Sequence, residues 1–328
     1  MENILSDQII DAYCHIGLPR FSSAKDVLAT FDLFGIQRGV VVLGPQAPDY
    51  PALVDALALA PDRLRAIGIP FGRSEAQARE TFALQVQIGV SGLRVQPEEL
   101  HAAPWLLEAL GERGLWLYMI NWVDHPELYA PLLNWLEGYP RAHLAAPHFL
   151  QPGRVPAGAR DVLRHPRFAA IFSRHGGVGS RQPYPHLDLR PWVEDVITLC
   201  GWERILWGSE YPVFYWRGES LPACRDWLPA LLPDLPAADL ANYLGSSAAR
   251  LLFSAPPPSR QPVIFSTPEV FPGWIDQQFN RQRSVPLFQN APLDLPMGTY
   301  ARLHHRFVAA QQANPALTFS EFVANLLK

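Results

Sequence analysis

Residues 191–212 read Pro191-Trp192-Val193-Glu194-Asp195-Val196-Ile197-Thr198-Leu199-Cys200-Gly201-Trp202-Glu203-Arg204-Ile205-Leu206-Trp207-Gly208-Ser209-Glu210-Tyr211-Pro212. Trp192, Val193, Val196, Ile197 and Cys200 fall on one stripe of a helix over Pro191–Cys200, and the proline stands at its start, where a missing N–H costs least. The run Arg204–Trp207 is short, branched or aromatic, and stopped by glycine and serine, which is the pattern of a buried strand. A helix feeding a buried strand is one unit of an alternating α/β chain.

The same unit recurs upstream. Candidate strands are Ile9–Tyr13, Gly39–Leu43, Leu64–Ile69, Gly92–Val95, Leu115–Ile120, Ala142–Ala146 and Phe168–Phe172, and amphipathic helices are predicted at Ala24–Phe34 and Trp105–Arg113. Eight alternations in about 250 residues predict an α/β fold of the (β/α)8 TIM-barrel type. No Gly-x-Gly-x-x-Gly turn follows an early strand, as a doubly wound dinucleotide fold would require. A barrel carries its active site at the C-terminal ends of its strands. Those ends hold Tyr13, His15, Arg94, Asn121, His148, Arg174, His175 and Glu210.

The chain has 328 residues with a formal net charge of -4, and 48% of them are hydrophobic. That is enough apolar material for a large core, and it excludes wholesale disorder and a basic nucleic-acid-binding surface. Three cysteines without finger spacing, no secretory signal near Met1 and no apolar run of roughly 20 residues lead to the expectation of a reduced, cytoplasmic protein with no membrane partner. Cys14 alternates away from Tyr13 and His15 and is predicted to pack outside the barrel. After residue 254 the character changes. Ala255-Pro256-Pro257-Pro258-Ser259 reads as a stiff linker, so residues 1–254 form the barrel and 255–328 a proline-rich, partly helical extension. In its last helix Thr318-x-x-Glu321 forms a capping box, and Phe319, Phe322, Val323, Leu326 and Leu327 share one face. That face is expected to pack on the chain's own barrel, with an arm over a second subunit of a homodimer, or a lid, as alternatives.

Ile10-Asp11-Ala12-Tyr13-Cys14-His15-Ile16-Gly17 resembles the first strand of the amidohydrolase superfamily, in the branch that includes aminocarboxymuconate-semialdehyde decarboxylase and 2-pyrone-4,6-dicarboxylate lactonase. Gly92-Leu93-Arg94-Val95, Leu144-Ala145-Ala146-Pro147-His148 and Arg204–Pro212 are similar to its fourth, sixth and eighth strands, and Tyr243–Leu252 to its closing helix. The resemblance spans residues 5 to 253. It implies a metal on a first-strand histidine pair, a fifth-strand histidine and an eighth-strand aspartate. This chain departs at nearly every ligand: Tyr13 replaces one histidine, Asn121 ends the fifth strand, and Glu210 replaces the aspartate. A phenol with a pKa near 10 must lose a proton before ligating, and an amide oxygen suits hard cations better than zinc. No cofactor is therefore expected. A Zn2+ site on His15, His148 and Glu210, with His175 as a further donor, is the alternative.

The resemblance also implies a metal-free strategy, in which arginines hold substrate carboxylates and an acidic residue activates water. The expected catalytic residues are Glu210 as general base, His148 and His15 to polarise the carbonyl or shuttle a proton, and Tyr13 as a partner of Glu210 or the oxyanion. Arg94, Arg174, Asn121 and His175 are the expected substrate-binding residues, His175 having an ordinary surface histidine as its other reading. Trp122, Tyr184, Tyr211, Phe214, Tyr215 and Trp216 either wall a pocket or pack loops. The reaction expected is hydrolysis of a small carboxylate-bearing ester, lactone or amide. A decarboxylase of an unsaturated or aromatic acid, and a non-catalytic barrel that binds a ligand or partner, are the competing readings.

Overall fold

The candidate strands are apolar along their length rather than alternating, as strands buried on both faces must be. A computed structural model describes residues 8–18, 20–45, 47–263, 265, 284–286 and 294–326. It places eight parallel strands in one sheet whose neighbours follow chain order. They are β1 (Ile9–Ile16), β2 (Ile36–Leu43), β3 (Leu64–Gly68), β4 (Gly92–Val95), β5 (Trp116–Met119), β6 (His143–Ala146), β7 (Phe168–Phe172) and β8 (Ile205–Trp207). Helices such as Ala24–Phe34, Glu75–Ile88, Trp105–Arg113 and Arg190–Cys200 cross between them. The result is the (β/α)8 barrel that the alternation predicts. β1 runs past its predicted end at Tyr13, because Cys14, His15 and Ile16 pair with Val41, Val42 and Leu43 of β2, a neighbour that local periodicity cannot register.

The strands carry two separate apolar populations. Ile10, Ala12, Tyr13, Val40, Val42, Ile67, Tyr118, Ala145, Ile171 and Leu206 fill the barrel, while Cys14, Val41, Leu93, Leu117, Leu144 and Phe172 pack outward under the helices. Cys14 therefore packs outside, as expected. Between Asp11 and Cys14 the register slips by one residue: β1 advances three positions while β2 advances two. Such a bulge re-aims side chains, and here it brings both Ala12 and Tyr13 into the interior.

The ring closes where β1 meets the chain beyond β8. The Glu210 N–H donates to the Tyr13 carbonyl at 2.9 Å, and the His15 N–H donates to the Tyr211 carbonyl at 2.6 Å. Asp11 completes the seam. Its Oδ1 accepts from the backbone N–H groups of Tyr13 and Ser209, each at 3.0 Å, and its Oδ2 accepts from the Ser209 hydroxyl. Gly208 is obligatory beside it, since a Cβ there would lie 2.9 Å from both Tyr13 Cβ and Ile171 Cγ2.

The C-terminal helices Met297–Ala313 and Phe319–Leu326 pack on the chain's own barrel. His305 Nδ1 lies 2.9 Å from Asp26 Oδ1 on helix Ala24–Phe34, and the Tyr215 hydroxyl donates to Gln311 Oε1 at 3.3 Å. Rings interleave along this contact: Tyr211 with His304 at 5.5 Å, Trp216 with Tyr300 at 5.4 Å and Tyr215 with Phe307 at 5.0 Å. The capping box forms as predicted, with Thr318 Oγ1 accepting from the Glu321 N–H and donating to the Glu321 carboxylate. Phe319, Phe322 and Val323 are buried, whereas Leu326 is 42% exposed, a departure from the expected face; Leu327 lies outside the described residues. Among the described residues no helix is long and apolar enough to cross a membrane.

Burial in this aromatic contact holds His304 down at about 4 against an ordinary 6.5, with Asp26 opposing the shift and His305 adding to it. The unfolded chain then binds a proton that the folded chain refuses, so this contribution is complete above pH 6.5 and is lost as pH falls toward 4. Thermal denaturation between pH 7 and pH 4.5 is expected to show falling stability, with a slope flattened in His304→Phe by about 1.4 kcal/mol per pH unit. Identical slopes in the two proteins would remove His304 from the acid response.

Candidate active site

Four strand ends share one device. Asn121, His148, Arg174 and Glu210 follow β5, β6, β7 and β8, and all four adopt left-handed backbone conformations with φ between 56° and 60°. Glycine would adopt this turn without strain, whereas a side chain there costs on the order of 1 kcal/mol or more. The side chains are thus held at the barrel mouth at some expense, which marks the mouth as a functional surface.

Three of these turns serve a common centre. Glu210 is almost fully buried, and its Oε2 accepts from Arg217 Nη1 at 2.7 Å. Its Oε1 faces His148 Nε2 at 3.4 Å and Arg174 Nε at 3.7 Å. One carboxylate oxygen is pinned and the other is turned toward the mouth. Arg217 is held in turn by Glu219, which accepts from its Nε at 2.8 Å and from its Nη2 at 3.1 Å. The Arg217 guanidinium is kept charged still more firmly than usual, because attraction to Glu210 and Glu219 outweighs its burial. Arg174 keeps a side chain 46% exposed, so it reaches from solvent toward Glu210. Asn121, by contrast, is exposed, and its side chain makes no hydrogen bond among the described residues.

The imidazoles are neutral. Burial pushes His148 well below 6.5, and the positive charges of Arg174, Arg94 and Arg217 push it further. Ser173 and Glu210 fix its tautomer: the Ser173 oxygen accepts from the His148 backbone N–H at 3.1 Å and sits 2.9 Å from Nδ1. Because Nε2 faces the Glu210 carboxylate, which only accepts, the ring proton is assigned to Nε2, and Nδ1 accepts from the Ser173 hydroxyl. His15 is lowered to about 3, mainly by burial. Its Nδ1 donates to the Val42 carbonyl at 3.2 Å, leaving a lone pair on Nε2, and its ring stacks on Phe21 at 4.4 Å.

Tyr13 packs edge-on against both rings, 5.0 Å from His15 and 4.9 Å from His148. Burial raises its phenol pKa, and its hydroxyl accepts from Arg94 Nε at 3.1 Å. The partner of Tyr13 is thus Arg94 rather than the expected Glu210. Arg94 is 7% exposed, its Nη1 is buried without a hydrogen-bond partner, and it forms no ion pair among the described residues. A desolvated guanidinium with an unused donor is built to receive an anionic or carbonyl oxygen.

His175 corrects the surface-histidine reading. It is 3% exposed, burial takes it to about 3, and its ring lies 4.5 Å from that of Trp227. Of the two readings of the aromatic residues, packing holds for most. Trp122 packs outside the barrel between Phe149 and Phe168, while Tyr211, Phe214, Tyr215 and Trp216 belong to the packed aromatic core that contacts the C-terminal helices. Tyr184 lines a cavity beside the site, and Tyr215 lines another against the C-terminal helices. Sequence reasoning missed Asp11, Ser173, Arg217 and Glu219. Asp11 stands inside the first-strand motif and was legible there; Arg217 and Glu219 lie on a loop with no periodicity to expose them.

These residues do not fit a zinc ion. His148 presents a proton rather than a lone pair, Tyr13 is a neutral phenol, and Glu210 is already paired with Arg217. Two guanidiniums on the Glu210 carboxylate, with Arg94 also acting on His148, oppose a further dication. Among the described residues no group of three His, Cys, Asp or Glu side chains is disposed to hold a metal.

Comparison with known proteins agrees with this fold. Residues 16–253 match the family model described as amidohydrolase. No curated protein matches the chain. A crystal structure from Acinetobacter baumannii with citric acid bound, provisionally named a 2-pyrone-4,6-dicarboxylic acid hydrolase, is 16% identical, with a TM-score of 0.57, over 74% of this chain and 98% of that one. A protein of the same provisional name from Pseudomonas putida is 23% identical, with a TM-score of 0.56, over 76% and 100%. An amidohydrolase from Burkholderia multivorans with bound zinc is 16% identical, with a TM-score of 0.54, over 74% and 98%. At such identities the likeness carries the fold alone. The family match spans the barrel from the end of β1 through the helix Ser247–Leu252, so the chain is an enzyme of the amidohydrolase family.

Proposed function

We propose that this enzyme is a metal-independent hydrolase of a small carboxylate-bearing ester, open-chain or lactone. The observation that carries the reading is the posture of Glu210: Oε2 locked by Arg217 at 2.7 Å, Oε1 turned toward the proton-bearing Nε2 of His148 at 3.4 Å. Oε1 is the base. It takes a proton from water as the water oxygen attacks the ester carbon. The carbonyl oxygen, gaining negative charge, is received by His148 Nε2–H and the unused Nη1 of Arg94, both fixed before the reaction begins. The acyl C–O bond then breaks, and the departing oxygen takes the proton back from Glu210. Arg174, half exposed at the rim, pairs with the substrate carboxylate. The provisional name shared by two structural neighbours denotes a lactone bearing carboxylates, which is in keeping with this class.

Glu210→Gln is expected to lower hydrolysis by about a thousandfold while circular dichroism and melting temperature stay near those of the parent. A rate within a few-fold of the parent would reject Glu210 as the base, and release of CO2 in place of a hydrolysis product would reject hydrolysis itself.

Zinc should not be retained. After equilibration with micromolar zinc and desalting, atomic spectroscopy is expected to find well under one zinc per chain, and chelators should leave turnover unchanged. One zinc per chain, lost on His15→Ala, would replace this mechanism with a metal-assisted one.

A further inference from the structure

Two glycines beyond β7 have no backbone reason to be glycine. Gly176 and Gly177 end the helical turn that follows Arg174, and neither takes the left-handed conformation of Gly179 and Gly218 nearby. What remains is space. A Cβ on Gly177 would lie 3.0 Å from Arg174 Cγ and 3.1 Å from Arg217 Cδ, where ordinary contact begins at 3.4 Å. A Cβ on Gly176 would lie 3.0 Å from His186 Nε2 and 3.2 Å from Glu219 Oε1. Both arginines that face Glu210, and the carboxylate that holds one of them, therefore lie across the same two bare Cα atoms.

The two arginine arms differ in what they can yield. Arg174 is half exposed and 3.7 Å from Glu210 Oε1, so its methylenes can swing aside. Arg217 cannot. Its guanidinium is held at 2.7 Å by Glu210 and through two further bonds by Glu219, and its side chain is 12% exposed. Pushing its Cδ outward must lengthen or tilt one of these bonds, and a hydrogen bond weakens steeply off its geometry. Gly177 itself is exposed, so the core does not refuse a methyl group there; only the arms do.

We propose that Gly176 and Gly177 are positioning residues of the active site, a seat on which Arg217 and Glu219 lie so that Arg217 keeps Glu210 Oε1 turned toward the mouth. This rests on the reading of Glu210 as the base. Gly177 acts through Arg217, and Gly176 through Glu219. With Oε2 released, the carboxylate turns about its last bond and Oε1 is no longer presented to the attacking water.

Nuclear magnetic resonance of the protein labelled with 15N in its arginines reads the seat without a substrate. The Arg217 Nε–H signal, identified by its loss in Arg217→Met, is expected to exchange with water at least about tenfold faster in Gly177→Ala than in the parent. Gly176→Ala should do the same, since Glu219 Oε1 is the acceptor of that N–H. The Arg94 Nε–H, which donates to Tyr13 in the same mouth, is the internal reference and should not change. Gly138→Ala, where a Cβ meets nothing within 4 Å, should move neither signal. An unmoved Arg217 signal in Gly177→Ala, or equal acceleration at Arg217 and Arg94, overturns the proposal. In turnover of the methyl monoester of succinate, Gly177→Ala is expected to lower kcat by about tenfold and to leave KM within about threefold, because a base out of line costs rate rather than binding. An unchanged kcat, with or without a raised KM, overturns the assignment to Arg217. Faster exchange at Arg217 alone, with no ester hydrolysed by the parent, would keep the seat and discard the hydrolase reading. Hydrolysis that Glu210→Gln abolishes, with rate and Arg217 signal both untouched by Gly177→Ala, would do the reverse.

Discussion

The seam between β1 and the chain beyond β8 is the constraint on which the site rests. Asp11 accepts three hydrogen bonds there, two from Ser209 and one from the Tyr13 backbone, so a single carboxyl group clamps the first strand to the last and holds the bulge that turns Tyr13 inward. The backbone bonds from Glu210 to Tyr13 and from His15 to Tyr211 then fix three site residues against one another. Burial raises Asp11 to about 7, against the pull of its hydrogen bonds to Ser209 and Tyr13. A closed barrel has no edge to relax, so a change at this seam is felt at the mouth.

Charge in the mouth is arranged around arginine. Where the family resemblance implies a dication among imidazoles, this chain sets Arg94 on Tyr13 and Arg217 on Glu210. A guanidinium spreads its charge over a fork of donors and cannot be deprotonated, so it can orient a carboxylate while leaving one of its oxygens basic. The cost is desolvation, which the Glu219 pair offsets for Arg217. Burial, with the same field adding to it, disfavours a charge on His148, and the neutral ring still has an N–H to donate to a developing oxyanion.

The extension beyond the barrel is tied to this centre by packed rings. His15 stacks on Phe21, Phe21 on Trp216 at 5.9 Å, and Trp216 meets Tyr300 of the C-terminal helix edge-on. Contacts of this kind transmit displacement because close-packed interiors do not yield gradually. The extension thus braces the loop that carries Arg217 and Glu219.

Much of the fold was legible in the sequence because strands buried on both faces and amphipathic helices write their periods locally. β4 and β7 fall on their predicted bounds, as do the helices Ala24–Phe34 and Trp105–Arg113. Strand ends also mark where a barrel keeps its chemistry, so Tyr13, His15, Arg94, His148, Arg174 and Glu210 could be named in advance. Partners could not. That Tyr13 meets Arg94 depends on how far β4 lies around the ring from β1, and that Arg217 reaches Glu210 depends on a loop with no period. The burial of His175 likewise depends on Trp227, more than fifty residues away in the chain. Residue order alone determined the alternation and the barrel, since these follow from local patterning, and it named the polar residues at the strand ends but not Ser173, Arg217 or Glu219. Only the tertiary structure decided which oxygen of Glu210 is held, which nitrogen of His148 carries the proton and where the extension docks, because each is set by a neighbour distant along the chain.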